Sequence, residues 1–560
     1  MPATARDDLT GVGSPIVVGD ADAVDWADEA EFVVVGFGGA GAAAALQARE
    51  CGLDVLAIDR FGGGGATAFS GGVIYAGQTP QQREAGYADS AEDMFRYLTA
   101  EGNALGEDAL RRFCEGSPAD MAWLASHGIE YGGNVYLPKT AYPAPGHWLF
   151  FSGNERLPKF AALARPAPRG HLPVTPGFGG HLHFAKLREA GLALGVRTLL
   201  HAPVRRLVLD QAGRVIGVEV NPIAPHAQPR HEELYRIVDP WKPFNAARAE
   251  AAIAECRALE GGQSERRLIR ARRGVVLASG GFVYNLALLR RHRPLLGQLH
   301  SALLRLGSMG CDGSGIALGQ SAGGATGLMD RFFLGRPLAP PEAFIYGVLV
   351  NMEGHRFVNE DAYQSLFGDE LANQSNNGRA YLLLDARHFW KGVWQSLFPG
   401  KGLFRLWGAP ALLNIVRGGT RRGWTLAALA RRTGIDAAAL ESTIAAYNRV
   451  AVTGGEDPLG KSPDKQVPLS KGPYYAVNCS LDNAFGPTFA FSLGGLLVDD
   501  DTGHVKRADG SLVAGLYAAG RSAVGLCSLG YMTGLAIADT VFSGRRAARH
   551  AAGKDLSEGG

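Results

Sequence analysis

Residues 31–59 read EFVVVGFGGAGAAAALQARECGLDVLAID, and this stretch decides the fold of the chain. A short β-branched run, 32–35, leads into a glycine-rich turn, and an alanine-rich segment follows as far as Glu50. A second apolar run, 55–58, ends at Asp59. The order of strand, tight turn, helix and strand, with an acidic residue at the end, predicts a Rossmann-like unit that binds a dinucleotide.

The glycines of the turn have separate roles in such a unit. Gly36 permits the turn, Gly38 lets the backbone approach a pyrophosphate, and Gly41 lets the helix pack closely on the sheet. Gly39 lies in the same turn, where the helix N-terminus offers N–H donors to the phosphates. Asp59 is placed to accept a hydrogen bond from a ribose hydroxyl, although taken alone it could be a surface carboxylate.

A second cluster of small residues, 61–72, follows at once. A loop of this composition can lie flat against a bulky planar ring and offer it N–H groups and hydroxyls. The alternative is a flexible linker, but strand and helix patterns bracket the cluster closely. The residues predicted to contact the cofactor here are Arg60, Gly65, Thr67, Ser70, Gly71 and Gly72.

Composition excludes several classes of protein. The 56 Lys and Arg nearly balance the 54 Asp and Glu, so nothing predicts binding to nucleic acid. The six cysteines include no C-x-x-C pair, so local spacing predicts no metal site. There is no signal-peptide pattern and no apolar run long enough to span a bilayer, so we expect a cytoplasmic protein.

Two later stretches, 274–282 and 515–520, each read as a strand that ends in glycine. They are predicted to join the same sheet, with ligands at its carboxyl edge. We therefore predict an α/β fold, in which a discontinuous Rossmann-like cofactor domain carries an inserted α+β cap. The predicted divisions are an N-terminal tail (1–27), the first segment of the cofactor domain (28–285), the cap (286–475), the second segment of the cofactor domain (476–552) and a C-terminal tail (553–560).

Other stretches are predicted more coarsely. Helical periodicity predicts helices within 92–127 and 425–452. The polar stretch 221–273 contains proline and many charges, which indicates an irregular surface excursion.

Several motifs occur in one order along the chain: the glycine turn, the small-residue loop, 278–282 (ASGGF), 354–360 (GHRFVNE), and 494–496 ahead of 515–520. Together they resemble the fumarate reductase/3-ketosteroid dehydrogenase superfamily of FAD flavoproteins. The resemblance implies FAD, held without a covalent bond through histidine, because no histidine occurs between Gly36 and Ser126. It also implies cofactor contacts at Ala278, Gly280, Gly281, Gly520, Arg521, Gly534, Leu535, Ala536 and Ile537.

The residues at two positions bear on the substrate. Members that reduce fumarate-like dicarboxylates hold the substrate carboxylates with two arginines, because guanidinium binds carboxylate in a bidentate manner. Here the matching stretches read 361–365 (DAYQS) and 530–534 (GYMTG), and uncharged residues occupy both arginine positions. The resemblance therefore implies a neutral, apolar substrate. It is strongest to the 3-oxo-5α-steroid Δ4-dehydrogenases, with Thr533 where that group has serine.

The resemblance implies a catalytic set of Tyr531, Tyr363 and Thr533. Tyr531 would take the proton α to a ketone, with Tyr363 hydrogen-bonded to it, while a hydride passes to the flavin. Thr533 would relay the proton outward, although threonine also suits a helix N-cap. Tyr142 and Tyr346 are further candidates for the substrate pocket. Each of these tyrosines could instead be a core residue with a satisfied hydroxyl.

Three other functions are left open. They are Δ1-dehydrogenation of a 3-ketosteroid, reduction of an enone, and a non-catalytic role as the flavoprotein subunit of an electron-transfer complex. The natural electron acceptor is left open too. The segment 387–417 interleaves aromatic residues with Arg and Lys, Lys401 among them. This pattern suits a peripheral membrane contact, and a buried cap helix or a dimer face are the alternatives.

Overall fold

A computed structural model describes residues 10–262, 265–400 and 402–554. Segments of the two predicted tails, 1–9 and 555–560, and Lys401 lie outside the described residues. The strands are β1 (Ile16–Val17), β2 (Asp28–Val35), β3 (Val55–Ile58), β4 (Ile74–Tyr75), β5 (Val135–Tyr136), β6 (Leu149–Phe150), β7 (Gly170–His171), β8 (Arg197–Leu199), β9 (Val204–Leu209), β10 (Val215–Val220), β11 (Arg267–Leu277), β12 (Leu304–Arg305), β13 (Thr326–Gly327), β14 (Phe332–Gly335), β15 (Val348–Asn351), β16 (Ala380–Asp385), β17 (Arg421–Gly423), β18 (Tyr474–Asn478), β19 (Phe489–Ser492), β20 (Gly495–Leu496), β21 (His504–Lys506) and β22 (Leu512–Ala518).

The α-helices are α1 (Gly39–Glu50), α2 (Gly65–Phe69), α3 (Pro80–Glu84), α4 (Ala91–Glu101), α5 (Glu107–Ser126), α6 (Pro158–Ala161), α7 (Gly180–Ala193), α8 (Gln228–Ile237), α9 (Ala246–Glu260), α10 (Leu286–His292), α11 (Pro294–Leu299), α12 (Ser314–Ser321), α13 (Gln364–Ala372), α14 (Ser375–Gly378), α15 (Ala386–Leu397), α16 (Ala409–Arg417), α17 (Leu426–Thr433), α18 (Ala437–Thr453) and α19 (Leu535–Ala551). A π-helical turn, Phe404–Gly408, precedes α16. The helices predicted within 92–127 and 425–452 are confirmed. None of the helices in the described part of the chain is both long enough and apolar enough to cross a membrane.

The central sheet has the order β1-β9-β10-β11-β2-β3-β8, with β22 added beside β11 and β21 beside β22. Its middle is parallel, because β2 pairs in parallel with β3 and β11, and β11 pairs in parallel with β22. The two later strands predicted from glycine endings are thus members of the same sheet as β2. This confirms the predicted Rossmann-like α/β architecture.

Helix α19 closes the cofactor domain against α1. The approach is close: a Cβ on Gly544 would lie 2.6 Å from the carbonyl oxygen of Ala40. The buried alanines of α1, 42–45, make this packing possible because they bring little bulk to the helix interface. The start and the end of the chain therefore build one layer of the domain together.

The cap is built on an antiparallel sheet of order β15-β16-β18-β17. Helices α15, α17 and α18 cover this sheet, and two hydrophobic clusters fill the space on its sides. Strand β18 pairs with both β16 and β17, so the predicted domain boundary at residue 475 falls inside a strand of the cap.

The stretch 221–273 is not irregular, and that prediction is wrong. Its described residues, 221–262 and 265–273, include helices α8 and α9 and the beginning of β11, which enters the sheet. Many of its charged residues are exposed, while His231, Leu234 and Tyr235 of α8 are buried. Spacings of three and four residues place those three side chains on one side of the helix, and that side faces inward.

Candidate active site

A cavity of about 260 Å³ runs from the carboxyl end of β2 to the base of the cap. At one end it is lined by the glycine turn, Asp59 and Arg60. At the other end its walls are aromatic, with Phe333, Phe491 and Tyr531 among them. Such a position, at the carboxyl edge of a parallel sheet and between two domains, is where α/β proteins bind cofactors and substrates.

The glycine turn leaves no room for side chains. Gly36 has φ +97°, and a Cβ there would lie 2.7 Å from the backbone of Ala278. A Cβ on Gly41 would lie 1.9 Å from the carbonyl oxygen of Gly36, so Gly41 serves helix packing and does not line the cavity. At Gly38, which lines the cavity, the nearest atom to a Cβ would be Gly64 O at 3.6 Å, an ordinary van der Waals contact. This is a cradle that a pyrophosphate can enter.

Asp59 lies at the end of β3 and lines the cavity. Its carboxylate accepts hydrogen bonds from the backbone N–H groups of Phe37, at 2.6 Å, and Phe61, at 2.8 Å. Burial raises the pKa of Asp59, and these two hydrogen bonds oppose that effect. A carboxylate has about four acceptor positions, so the predicted bond to a ribose hydroxyl remains open to it.

Arg60 lines the same end, but its guanidinium is held by two acids. It contacts Glu260 at 2.6 Å and Asp312 at 2.7 Å. Glu260 also contacts Arg205 at 2.7 Å and His231 at 3.0 Å. Although burial alone would raise the pKa of Glu260, Arg60 and these neighbours hold it below its usual range.

The ligand atoms of His231, Cys256 and Glu260 lie within 4.8 Å of one another, close enough to hold a metal ion. A cation there would, however, face the two guanidinium groups already bound to Glu260. The chemistry of the cluster is therefore that of an ion-pair network. It fixes the stretch 221–262 against the cofactor end of the cavity.

The hydroxyls of Thr67 and Ser70 in the small-residue loop bond to backbone groups of the protein. Thr67 Oγ1 accepts a hydrogen bond from Gly39 N at 3.1 Å, which joins the loop to the start of α1. Ser70 Oγ donates to Thr67 O at 2.8 Å. The predicted cofactor residues that line the cavity are Gly36, Gly38, Gly39, Asp59, Arg60, Gly65, Thr67, Ser70, Gly71, Gly72, Ala278, Gly280, Gly520, Arg521, Gly534, Ala536 and Ile537.

In addition to Gly41, two of the predicted cofactor residues do not line the cavity. Leu535 is fully buried in the core beneath the start of α19. Gly281 faces Ser492, whose Oγ would lie 2.2 Å from a Cβ at that position. Both residues act through packing, because they hold the backbone on which the lining residues stand.

At the aromatic end, Tyr531 lies between Phe333 and Phe491, with ring centroids 4.7 Å and 5.0 Å away. Its hydroxyl makes no hydrogen bond to any residue that the structure describes. Burial raises the pKa of Tyr531 well above its ordinary value, and the positive charge of Arg521 opposes this. The residue thus presents a phenol to the cavity with no partner among the described residues.

The Tyr363 hydroxyl bonds to Thr533 Oγ1 and not, as predicted, to Tyr531. It also accepts a hydrogen bond from Gln364 Nε2 at 3.1 Å. Burial raises the pKa of Tyr363 to about 12, in spite of these bonds. Helix α19 begins at Leu535, so Gly534 and not Thr533 occupies its N-cap position.

Backbone contacts hold this group together. Ser365 Oγ donates to Tyr531 O at 2.8 Å, and Thr533 N donates to Ser152 O at 3.3 Å. The N-terminus of α13 and the turn before α19 are therefore tied to each other and to the loop at 152. Tyr531 and Thr533 line the large cavity, whereas Tyr363 stands behind Thr533.

The two tyrosines predicted for the substrate pocket differ in their position relative to the cavity. Tyr142 lines the cavity, and its hydroxyl donates to Gly177 O at 3.0 Å. Tyr346 is not among the lining residues: it ends a 3-10 turn and packs against His388, and its hydroxyl accepts from Lys465 Nζ at 3.3 Å. Its ring is directed toward α15 and away from the cavity.

Several lining residues were not predicted from the sequence: Phe178, Trp241, Gln364, Trp407, Phe489 and Phe491. Trp241 lies in the stretch that was assigned to the surface. Its ring contacts those of Phe178 and Phe489, and its Nε1 donates to Phe69 O at 2.6 Å. A lone tryptophan among polar residues was the available signal, because such a side chain seldom stays fully in water.

Comparison with known proteins identifies the class of protein to which a chain with this site belongs. The chain matches the FAD binding domain family over residues 31–530. It is 37% identical over 527 residues to the 3-oxo-5-alpha-steroid 4-dehydrogenase of Comamonas testosteroni, and the match covers 91% of this chain and 96% of that protein. It is 25% identical to the 3-oxosteroid 1-dehydrogenase of Mycolicibacterium smegmatis, over 88% of this chain and 91% of that protein.

A solved structure is similar as well. The 3-ketosteroid-Δ4-(5α)-dehydrogenase from Rhodococcus jostii, in complex with 4-androstene-3,17-dione, matches with a TM-score of 0.78 and 30% sequence identity. The match covers 96% of this chain and 99% of that one. The chain therefore belongs to the FAD-binding flavoproteins of the fumarate reductase/3-ketosteroid dehydrogenase superfamily. Its cofactor is FAD, as predicted.

Proposed function

We propose that this chain is an FAD-dependent 3-ketosteroid dehydrogenase that introduces a C4–C5 double bond into a 3-oxo-5α-steroid. The observation that carries the proposal is the free phenol of Tyr531 in the aromatic end of the cavity, beside the Tyr363–Thr533 hydrogen bond. The similarity to Δ4-dehydrogenases over nearly the whole chain supports it.

The aromatic walls favour an apolar, ring-shaped substrate. Phe178, Trp241, Trp407, Phe489 and Phe491 line the cavity that Tyr531 faces. Rings of this kind offer large apolar area and flat contact surfaces, which a fused-ring ketone can cover. The two arginines that would hold a dicarboxylate are absent from 361–365 and 530–534.

The chain contributes the proton chemistry. The bond next to a ketone is oxidised by removal of a proton from the α carbon and a hydride from the β carbon. Bound FAD supplies the acceptor for the hydride. The Tyr531 phenolate accepts the proton, and the Arg521 charge favours that phenolate. Phe333 and Phe491 hold the Tyr531 ring in place and keep water from it.

The test is an anaerobic mixing experiment. The purified yellow protein is mixed with a 5α-saturated 3-ketosteroid while the flavin band and the products are followed. We expect bleaching and a 4-ene product, and we expect Tyr531→Phe to slow bleaching by at least about 100-fold while steroid binding changes little. Tyr474→Phe, a buried cap tyrosine at a distance from the cavity lining, is the matched control and should bleach at the wild-type rate.

Each alternative gives a different outcome of the same experiment. A 1-ene product would make the chain a Δ1-dehydrogenase. Oxidation of the reduced flavin by a 4-ene-3-ketone, without bleaching by the saturated steroid, would make it an enone reductase. FAD binding with no response to either steroid would favour a non-catalytic subunit.

We also propose that the chain docks peripherally on a membrane through an aromatic surface, formed by Trp390, Trp394, Phe398, Phe404 and Val416. These side chains are 57%, 61%, 66%, 46% and 75% exposed. Helix α15 turns His388, Phe389 and Gly392 inward, which leaves the tryptophans on its outer face. The Trp394 and Phe398 rings are in contact, with centroids 5.6 Å apart, and soluble proteins seldom expose so many large apolar side chains within one short segment without a partner.

The charges favour an anionic lipid surface as that partner. The bases Arg387, Lys391, Arg405 and Arg417 are interleaved with the aromatic surface along the chain. The combination of aromatic side chains and bases is that of an interfacial element on acidic headgroups. The same segment reaches the active site, because Leu406 and Trp407 line the cavity and Trp407 Nε1 donates to Tyr142 O at 3.3 Å.

Sedimentation with vesicles tests the docking. We expect the holoenzyme to sediment with vesicles that contain phosphatidylglycerol and phosphatidylcholine, and far less with phosphatidylcholine alone. Replacing Trp390, Trp394 and Phe398 together by alanine should reduce binding at least about tenfold. The control replaces the exposed Leu163, Leu192 and Val452 instead. Equal binding of both variants, or a dimer that the first variant alone dissociates, would contradict the proposal.

A further inference from the structure

Trp241 is a fixed part of the aromatic wall of the cavity. It lies in the connection between α8 and α9, and its ring packs between those of Phe178, at 4.7 Å, and Phe489, at 6.0 Å. Two hydrogen bonds hold it there. Its backbone N–H donates to Asp239 Oδ1 at 2.9 Å, and its Nε1 donates to Phe69 O at 2.6 Å. The indole is therefore held by contacts from four other segments of the chain.

Strand β19 joins this position to Tyr531. Phe489 and Phe491 are two residues apart in the strand, so their side chains lie on the same side of it, and both line the cavity. Phe491 contacts Tyr531 at a ring-centroid distance of 5.0 Å, as Phe489 contacts Trp241 at 6.0 Å. The four rings thus form a continuous strip of wall, with the phenol at one end and the indole at the other.

The strip is long enough for a fused-ring ligand. Two strand residues advance about 7 Å, and the contacts with Tyr531 and Trp241 extend the strip at both ends. A nucleus of four fused rings is about 10 Å long, the rise of three strand residues. A ketone of this size whose carbonyl lies at Tyr531 therefore reaches Trp241 with its opposite end.

We propose that Trp241 is the end wall of the steroid site and sets the size of the substituent that is admitted on the ring farthest from the ketone. This inference rests on the proposed function, because Tyr531 decides which end of the ligand carries the ketone. It makes Trp241 a residue that determines specificity, with no part in the transfer of the proton.

The polar hydrogens of three aromatic side chains at this end are bonded to backbone carbonyls. The Nε1 of Trp241 is bonded in this way, as described above. Tyr142, whose ring contacts Phe178 at 5.0 Å, donates its hydroxyl to Gly177 O at 3.0 Å, and Trp407 Nε1 donates to Tyr142 O at 3.3 Å. These side chains turn ring faces toward the ligand, and a carboxylate buried against them would be costly. We therefore infer an uncharged, apolar substituent.

Substrates that differ only at the far end test the end wall. Anaerobic flavin reduction is measured with 5α-androstan-3-one, which has no substituent on its last ring, and with 5α-cholestan-3-one, which carries a branched hydrocarbon side chain. In Trp241→Ala, we expect the ratio of the second-order rate constants, cholestanone over androstanone, to rise at least about tenfold relative to the wild type. Trp241→Phe keeps an aromatic ring and frees less space, so it should raise the ratio by a smaller factor.

A matched pair of ligands tests the charge. A 3-oxo-5α-steroid whose side chain ends in a methyl ester is compared with the corresponding free acid. We expect the ester to reduce the flavin of the wild type at least about tenfold faster, because the acid brings an unpaired carboxylate to the aromatic wall. Equal rates would overturn the inference that the substituent is uncharged.

A second readout does not depend on turnover. Dissociation constants of the 4-ene-3-ketones with the same two far ends are measured on the holoenzyme from the perturbation of the flavin band. Trp241→Ala should shift their ratio in favour of the long side chain. A two-ring enone is too short to reach Trp241 from Tyr531, so it should bind the wild type and Trp241→Ala equally. A loss of that affinity would mean that the indole supports the ketone end instead, and would overturn the proposal.

Phe244→Ala is the matched control. Phe244 is an aromatic residue of the same connection between α8 and α9, but it is 59% exposed and does not line the cavity. Both ratios should therefore keep their wild-type values in Phe244→Ala. An equal shift in Phe244→Ala and Trp241→Ala would overturn the role of Trp241, because any disturbance of the connection would then suffice.

The outcomes separate the two proposals. Unchanged ratios in Trp241→Phe and Trp241→Ala would overturn the end wall, and Trp241→Phe decides alone if the alanine variant is purified without FAD. If no saturated ketone bleaches the wild type, the proposed function fails, while the dissociation constants of the enones still decide whether Trp241 bounds the ligand. A wild type that binds neither 4-ene-3-ketosteroid would overturn both proposals.

Discussion

Asn154 Oδ1 accepts a hydrogen bond from the backbone N–H of Tyr363 at 2.6 Å. The two residues come from the cofactor domain and from the cap, and both are buried. Asn154 N in turn donates to the Tyr97 hydroxyl at 2.7 Å. This contact joins the cofactor domain to the cap and fixes the position of Tyr363 relative to Thr533.

We expect Asn154→Ala to slow flavin reduction by about 10- to 100-fold, because Tyr363 belongs to the proposed catalytic group and a small displacement of such a group lowers the rate strongly. The FAD content of the purified protein should stay the same. Stopped-flow reduction by the ketosteroid is the measurement. Asn373→Ala, just beyond the far end of α13, is the control, and an equal effect of both changes would contradict the prediction.

The rate of flavin reduction should rise with pH from about pH 6 to about pH 10. Burial raises the pKa of Tyr531 above its ordinary value of 10.0, so the phenol is protonated at neutral pH. The proposed proton abstraction by Tyr531 needs the phenolate, whose fraction grows about tenfold for each pH unit below the pKa. Tyr531→Phe should show a flat profile, and a wild-type rate that falls over the same range would assign the proton to another group.

Glu155 makes stability depend on pH. Burial raises its pKa from 4.5 to about 7, so the folded state binds a proton more tightly than the unfolded chain. Its effect on stability is favourable below about pH 4.5 and is lost as the pH rises to about 7, at an expected cost of up to about 3 kcal/mol. Glu155→Gln keeps the acceptor for Gly153 N and removes the charge.

We therefore expect Glu155→Gln to unfold at a higher temperature than the wild type at about pH 8, and at nearly the same temperature at about pH 5. Thermal unfolding of the two holoenzymes at both values is the measurement. The same difference at both values would mean that the carboxyl does not titrate in this range.

Gly36 and Gly52 allow a matched test of the cofactor cradle, because Gly36 belongs to the cradle and Gly52 does not. Their φ angles are +97° and +87°, so alanine at either position strains the backbone by about 1–2 kcal/mol. Only at Gly36 would the new Cβ also meet backbone, that of Ala278 at 2.7 Å; Gly52 has no described atom within 4 Å of its Cβ position. We expect Gly52→Ala to be yellow and Gly36→Ala to be purified without flavin, as the ratio of flavin to protein absorbance reports. Retention of FAD by Gly36→Ala would contradict the assignment of this glycine turn as the cofactor cradle.

The cradle and the two tyrosines were predictable because they depend on local patterns. Gly36, Gly38 and Asp59 stand at fixed positions in a strand–turn–helix–strand unit, and short motifs carry Tyr363 and Tyr531. The partner of Tyr363 was not predictable, because hydroxyls at 531 and 533 lie two residues apart in an irregular turn. Only the folded turn shows that Thr533 faces Tyr363 and that Tyr531 faces the cavity.

The contribution of residues 221–262 to the wall of the cavity was not predicted from the sequence, for a different reason. Helix α8 buries few residues, and its charged positions conceal their spacing in a polar sequence. Trp241 and Glu260 acquire their roles only through contacts with Phe178 and Arg60, which are distant in the chain. Pairings of this kind follow from tertiary packing and leave no local signal.

The packing of α1 against α19 bears on how the protein is made. The cavity is lined by Gly36 near the start of the chain and by Gly534 and Thr540 near its end. During synthesis, the first Rossmann unit leaves the ribosome hundreds of residues before Gly534 and Thr540, which complete the wall of the cavity. We therefore expect FAD to bind tightly only after both walls of the cavity have folded.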